Sequence, residues 1–102
     1  MMDLTKMFRA EVTVHSSNKD DAKRTVLNID RITGYQDASE DPETMNKRRE
    51  NGSYLTDIWY AYYDGSCTSV YARETVEEIQ AMIKKAEEER LKRIRDMRIG
   101  II

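Results

Sequence analysis

The sequence predicts an α+β domain in which a four-stranded antiparallel meander is covered by one long C-terminal helix. Three observations lead to this prediction. Apolar and polar residues alternate over 8–16, which is the period of a half-buried strand. Asp64-Gly65 stands between two segments rich in strand formers, where a tight hairpin turn needs a residue that tolerates positive φ. From Thr75 onward, apolar residues recur at helical spacing.

The chain of 102 residues is long enough for a single domain with one modest core. Its net charge of −2 gives no overall attraction to nucleic acid or to an anionic membrane. The single Cys67 and the lack of a secretory signal or a long apolar window predict a cytoplasmic protein outside the membrane. The predicted order along the domain is a flexible N-terminus (1–7), strands 1 and 2 (8–35), a charged loop or short helix (36–53), hairpin strands 3 and 4 (54–74) and the helix (75–98).

The first two predicted strands each have an apolar face. In strand 1 this face carries Phe8, Ala10, Val12 and Val14. In strand 2, Leu27 and Ile29 share a face with Thr25, and Gly34 permits a kink or a bulge. Both strands are therefore expected to bury one side against a common core.

The segment 36–53 carries almost no apolar residue and holds the only proline. Asp41 before Pro42 is typical of a helix start, and Asn51-Gly52 is typical of a helix end. The segment is expected to form one or two exposed helical turns, or else a long mobile loop of the kind that is often functional.

The predicted hairpin contains four aromatic residues in positions 59–63. Alternation puts them on both sides of strand 3, with Leu55, Asp57, Trp59, Ala61 and Tyr63 on one side and Thr56, Ile58, Tyr60 and Tyr62 on the other. In one interpretation Trp59 and Tyr63 fill the core on one face, with Ile58 and Tyr60 near the other. In the second interpretation, one face is a platform for a ligand or a partner, since a single helix covers only one side.

The C-terminal helix begins with Thr75 and Glu78, which have the spacing of a capping box. Its apolar stripe consists of Val76, Ile79, Met82, Ile83 and Ala86. After Ala86 the stripe steps by five residues to Leu91, Ile94 and Met97, which rotates it by about 140° around the helix. The first half is expected to cover the sheet and the second half to project, with its apolar edge covered by a second copy of the chain.

Short motifs in this order resemble the FlbD-like proteins of bacterial flagellar operons. The motifs are "VLNIDRI" (26–32), the glycine turn at Gly65 and "VYARETVEEI" (70–79), and the resemblance covers about residues 24–84. It implies a small regulatory protein without catalytic machinery, and it carries no catalytic residue to this chain. The segment 36–53 and the long charged helix depart from the family pattern.

Catalytic and metal-binding constellations are not expected. His15, the only histidine, lies on the polar face of strand 1, where a solvated role is expected. Cys67 is expected to be a small half-buried thiol. A nucleophilic thiol needs a positioned base, and His15 could be that base only if strands 1 and 4 were neighbours. Two groups of acidic residues could bind a cation, Asp20 with Asp21 and the acids of 37–43, but neither group has the EF-hand spacing. Phosphate-binding glycine motifs are absent, so no cofactor and no metal are predicted.

These observations predict a small non-enzymatic regulatory or inhibitory protein that binds another protein. Its size and charge suggest a phage or mobile-element protein directed at a host system. The expected contact residues are Arg48, Arg49, Glu50, Tyr60 and Tyr62, and the expected oligomer interface is Leu91, Ile94 and Met97. The basic stretches 46–49 and 90–95 are interleaved with acids, which favours solvated faces over phosphate contacts. The alternative is a nucleotide or single-stranded nucleic-acid binder that uses Tyr60, Tyr62, Tyr71 and Arg73; a small hydrolase centred on Cys67 and His15 is the remaining alternative.

Overall fold

The computed structural model describes residues 8–17 and 22–101. Its elements are β1 (Glu11–Ser17), β2 (Ala22–Asn28), a short 3-10 helix (Ile29–Arg31), β3 (Ile32–Asp37), α1 (Pro42–Asn51), β4 (Thr56–Ala61), β5 (Cys67–Ala72) and α2 (Val76–Ile101). The predicted α+β class, the antiparallel pairing and the long C-terminal helix are confirmed. The expected flexible N-terminus (1–7) and the pair Asp20-Asp21 lie outside the described residues.

The sheet has five strands in the order β2-β1-β5-β4-β3, so the predicted count of four is wrong. The segment expected to be strand 2 is divided by the 3-10 helix into β2 and β3. Asn28 causes the division, because its side chain accepts a hydrogen bond from the backbone N–H of Asp30 and caps the turn. A simple meander is retained only in β3-β4-β5, while β1 and β2 form a separate hairpin.

The sheet is strongly curled. In a flat sheet of this order, the edge strands β2 and β3 would be about 19 Å apart. The link from Asn28 to Ile32 spans at most about 14 Å. The backbone N–H of Asn28 accordingly reaches the hydroxyl of Tyr60 on β4, at 3.2 Å. The sheet therefore curls far enough for the β1-β2 hairpin and the meander to share one core.

The hairpin joins the meander at one point. Ser16 of β1 is paired with Ala72 of β5, and the N–H of Arg73 donates to the carbonyl of His15 at 2.9 Å. Beyond this junction, β1 diverges from β5. This divergence leaves most of one edge of β1 facing α2 rather than another strand.

The core lies between the curled sheet and the first half of α2. Its buried apolar residues are Ala10, Val12, Val14, Leu27, Ile29, Ile58, Ala72, Ile79 and Ala86. The predicted apolar face of strand 1 is confirmed except for Phe8, which is 51% exposed. Burying these side chains stabilises the fold by roughly 25 cal/mol for each Å² of apolar surface that is removed from water.

The placement of Trp59 and Tyr63 in the core is wrong. Trp59 is 41% exposed and Tyr63 is 80% exposed. The inner face of β4 consists of Thr56, Ile58 and Tyr60, as α2 and the β1-β2 hairpin pack on that side. The hydroxyl of the fully buried Thr56 donates to the carbonyl of Glu74 at 2.8 Å, so no polar group of its side chain is left unpaired.

Helices α1 and α2 begin where the sequence places their capping residues. The hydroxyl of Thr75 accepts from the N–H of Glu78 at 3.1 Å, and the carboxylate of Glu78 reaches back to Thr75. Helix α1 begins after Asp41, which accepts from the hydroxyl of Thr44 at 2.8 Å and from a backbone N–H. These hydrogen bonds lower the pKa of the Asp41 carboxyl.

Candidate functional site

The side of the meander that faces away from the core carries a cluster of partly exposed aromatic and charged side chains. Pleating places Asp57 and Trp59 of β4 on this side, with Tyr71 of β5 directly opposite Asp57. Tyr54 precedes β4, and Arg48 reaches the cluster from α1. We refer to Arg48, Tyr54, Asp57, Trp59 and Tyr71 as the outer aromatic face.

Trp59 lies against Gly34 of the neighbouring strand. A Cβ atom added to Gly34 would stand 2.7 Å from Cε3 of the indole, closer than atoms in contact approach. The strand register shifts at this point, between Ile32 and Gly34. Glycine therefore lets the large ring lie close to the sheet while 41% of the residue stays exposed.

Three side chains of the face form a stack. The guanidinium carbon of Arg48 lies 4.6 Å from the centre of the Tyr54 ring, within cation–π distance. The ring centres of Tyr54 and Tyr71 are 4.7 Å apart, and the planes are tilted by 41°. Gly52 ends α1 in the left-handed conformation (φ 67°) and so turns the chain back toward the sheet. Helix α1 and the hairpin are thereby held together through aromatic contacts.

Two polar atoms of the face are shielded from solvent without a protein partner. They are Nε of Arg48 and Oδ1 of Asp57. Removal from water raises the pKa of the Asp57 carboxyl, and the nearby positive charge of Arg48 opposes the rise.

The residues that the sequence predicts as protein contacts lie on different surfaces of the structure. Arg48 belongs to the outer aromatic face, while Arg49 and Glu50 are exposed on α1. Tyr60 points inward, packs against the core and accepts the hydrogen bond from Asn28. Tyr62 is 49% exposed and meets Tyr60 edge to face, with ring centres 5.6 Å apart.

The four residues expected to bind a nucleic acid do not share one surface. Tyr71 and Arg73 are exposed, at positions that alternate with the buried Ala72. Tyr60 lies on the inner side of β4, and Tyr62 follows the end of that strand. On the outer side of β4 and β5, the exposed aromatic surface is formed by Trp59 and Tyr71. The first interpretation of the sequence places Trp59 in the core. The signal for its outward position is its alternation with Ile58 and Tyr60.

His15 and Cys67 are far apart. Strands β1 and β5 are neighbours, as a Cys–His pair requires, but His15 lies opposite Arg73. Cys67 is six residues further along β5, about 20 Å away. Nδ1 of His15 instead lies 3.3 Å from the carboxylate of Glu74. Cys67 is exposed rather than half-buried.

The second half of α2 contacts the body of the protein through arginine side chains. Nη1 of Arg90 donates to the carboxylate of Asp30 at 2.8 Å, and Nη2 of Arg93 donates to the carbonyl of Arg9. Ala86, Arg90 and Arg93 are spaced by four and three residues and so lie on one side of α2. The side of the helix that faces the sheet is therefore apolar up to Ala86 and charged from Arg90 onward. The second half was expected to project beyond Ala86, and these contacts correct that expectation as far as Arg93.

The expected oligomer interface is only partly exposed. Leu91 is 59% exposed, whereas Ile94 and Met97 are half-buried. Leu91 therefore stands largely alone between the exposed charges of Glu88 and Lys92.

No family model matches the chain, and no curated protein or solved structure matches it either. Within residues 8–17 and 22–101, no three His, Cys, Asp or Glu side chains converge as metal ligands would. Among the described helices, none combines the length and the apolar character needed to cross a membrane.

Proposed function

We propose that this protein is a small cytoplasmic regulatory or inhibitory protein that acts by binding another protein through its outer aromatic face. One observation carries the proposal: Trp59 and Tyr71 expose 41% and 45% of their surface on the paired antiparallel strands β4 and β5. The FlbD-like resemblance implies the same kind of function and stays a prediction.

The composition of the face supports protein recognition. Trp, Tyr and Arg are the residues that most often dominate the binding energy of protein interfaces. The aromatic rings are held by Gly34 and by the Arg48–Tyr54 stack, so little side-chain entropy remains to be lost on binding.

The charge of the face favours a protein over a nucleic acid. Asp57 stands directly opposite Tyr71, so a carboxyl group lies in the middle of the surface. Its charge is offset by that of Arg48 on the same face, so the face lacks the excess of positive charge with which single-stranded nucleic acid is usually bound. The nucleic-acid alternative has the exposed rings in its favour.

Self-association through α2 is the second part of the proposal. Leu91 is an exposed leucine on a helix whose exposed charges change from Glu87 and Glu88 to Lys92 and Arg95. Two copies of such a helix in antiparallel orientation would place acidic groups opposite basic groups around Leu91. The apolar area is small, so a weak dimer is expected.

The binding proposal is tested by comparing immobilised full-length variants in an extract of the native host. Trp59→Ala and Tyr71→Ala each remove a ring from the face, while Tyr63→Ala removes an exposed ring outside it. A protein retained by the wild type and by Tyr63→Ala, but lost on Trp59→Ala and Tyr71→Ala, is expected. Titration of the purified partner should then show affinity losses of tenfold or more, as for interface hot spots.

Two results would count against the proposal. Equal retention on all four columns would remove the outer aromatic face as the contact. A 12-nucleotide poly-dT strand that quenches Trp59 fluorescence, with affinity falling steeply as salt rises, would favour the single-stranded nucleic-acid alternative instead.

A further inference from the structure

One edge of β1 is not covered by a strand. On one side, β1 is paired with β2 along its whole length, from Glu11 opposite Asn28 to Ser17 opposite Ala22. On the other side, Ser16 opposite Ala72 is its only strand pairing among residues 8–17 and 22–101. Helix α2, not a strand, lies beside the remainder of this edge.

The hydrogen-bonding pattern shows which backbone groups point to the free edge. The carbonyl of Ala10 accepts from the N–H of Ile29, so in an antiparallel ladder every second residue from Ala10 onward bonds toward β2. The residues between them, Glu11, Thr13 and His15, direct their N–H and C=O groups the other way. His15 uses both groups, donating to Glu74 and accepting from Arg73.

Glu11 and Thr13 lack such partners within the part of the chain that the structure describes. Among the described residues, no hydrogen bond joins their backbone N–H or C=O groups to another element on this side. The result is two donors and two acceptors, spaced two residues apart along the strand. This spacing of about 7 Å is the repeat that an added strand presents.

A groove runs along this edge. It consists of two cavities of about 320 Å³ and about 220 Å³, and Glu11, Ala86 and Glu89 line both. Consecutive residues of the chain line each cavity: 9–11 in the first and 11–13 in the second. Successive side chains of a strand point to opposite faces, so a cavity touching three in a row lies along the strand edge.

The groove has room for side chains as well as for a backbone. The buried residues that line it, Ala10, Val12 and Ala86, are small or medium-sized. Helix α2 bounds the side of the groove opposite β1. The groove therefore suits a single extended chain, because an added strand that carried a second strand of its own would meet the helix.

We propose that an extended peptide segment of a partner protein binds in this groove by adding a strand to the edge of β1 at Glu11–Thr13. Its backbone N–H and C=O groups pair with those of Glu11 and Thr13, and alternate side chains enter the groove beside Ala86. This site goes beyond the proposed function, because it shares no residue with the outer aromatic face. The two surfaces can therefore be tested separately.

The test uses a synthetic probe of seven residues, acetyl-Lys-Val-Thr-Val-Thr-Val-Lys-amide, with full-length ¹⁵N-labelled protein. The terminal lysines keep the probe from aggregating. On titration, the amide signals of Glu11 and Thr13 are expected to shift and to gain protection from hydrogen exchange. The indole signal of Trp59, on the outer aromatic face, is expected to stay in place.

Two further peptides decide whether the contact is a strand pairing. One carries N-methyl groups on its first two valines and the other carries them on its two threonines. Only alternate N–H groups of an added strand face β1. One peptide should therefore lose at least about tenfold in affinity while the other stays within about threefold of the probe. Equal loss or equal retention would overturn the proposal.

A protein variant gives the complementary test. Thr13→Pro removes the outward-pointing N–H without removing a β1-β2 hydrogen bond, and Thr13→Ala retains that N–H. Binding is expected to fall about tenfold or more in the proline variant and to persist in the alanine variant. If Thr13→Pro does not fold, the two methylated peptides still decide the question.

Other results would assign the groove differently and overturn the proposal. Amide shifts of Glu11 and Thr13 that depend on protein concentration without peptide would indicate a second copy of the chain. Tighter binding of a peptide copying residues 1–7 than of the probe would indicate the protein's own N-terminal segment. Probe-induced shifts confined to the outer aromatic face, or absent throughout, would also contradict it.

Discussion

The indole of Trp59 lies directly on Gly34 of the neighbouring strand, with no space for a side chain between the ring and the backbone. A Cβ atom at Gly34 would stand 2.7 Å from Cε3 and 3.2 Å from Cζ3 of the ring. Trp59 is the only tryptophan of the chain, so its fluorescence reports on the outer aromatic face alone.

Gly34→Ala is expected to push the indole off the sheet while leaving the fold intact. The partly exposed ring can swing into solvent, so the free energy of unfolding should change by no more than about 1 kcal/mol. Trp59 emission should shift to longer wavelength, and binding of the protein partner should weaken. Gln36→Ala, two residues further along β3, is the control. An unchanged emission spectrum in Gly34→Ala would show that the ring does not depend on the glycine.

Thr56→Val is expected to destabilise the fold by about 1–2 kcal/mol, because the partly buried carbonyl of Glu74 loses its donor. The shape of the side chain is nearly conserved, so the lost hydrogen bond is the main change. Thr33→Val is the matched control, since the hydroxyl of Thr33 also donates to a backbone carbonyl but in an exposed position. Urea denaturation measures both variants. Equal losses of stability in the two variants would mean that burial does not increase the contribution of the Thr56 hydrogen bond.

Asp57→Asn is expected to stabilise the fold at pH 7. Removal from water raises the pKa of Asp57 in the folded state, so the native protein holds this proton more tightly than the unfolded chain does. The contribution of Asp57 to stability is therefore largest below its unfolded pKa of about 3.8 and is lost as the pH rises through the raised native pKa. Asparagine stays neutral and avoids this loss.

Urea denaturation between pH 2.5 and 7 checks the Asp57 prediction. The gain of Asp57→Asn over the wild type should grow as the pH rises and should be smallest at the acid end. Asp64→Asn is the control, because hydrogen bonds from Ser66 lower the pKa of Asp64 and give its pH dependence the opposite sign. A destabilised Asp57→Asn at pH 7 would indicate that the attraction to Arg48 outweighs desolvation.

Leu91→Asp combined with Ile94→Asp is expected to give monomers without unfolding the sheet. A charge in place of Leu91 would be buried between the two helices of the proposed dimer, where it has no partner. Light scattering over a range of concentrations measures the mass, and Glu88→Gln serves as a control on the same helix. A mass that is the same in the wild type and the double variant would reject this part of α2 as the contact.

Local signals in the sequence predict where several helices and turns begin or end. They also predict which residues of β1 face the core. Thr75 with Glu78, Asp41 with Pro42 and Asp64 with Gly65 each act through hydrogen bonds or dihedral preferences within four residues, so the sequence alone determines them. Alternation likewise identified the inward residues of β1, because only one of its faces is apolar.

Only the tertiary structure decided which side of β4 is buried and where β1-β2 lies. Both sides of β4 carry aromatic rings, so burial depends on where α2 and the hairpin pack, and both are distant in sequence. The curl that brings Asn28 to Tyr60 likewise depends on contacts between residues 32 positions apart. The same holds for Arg90 and Asp30, a pair that no helical periodicity predicts. The outer aromatic face and the groove beside β1 follow from these long-range contacts, because a local pattern specifies what a face contains but not what covers it.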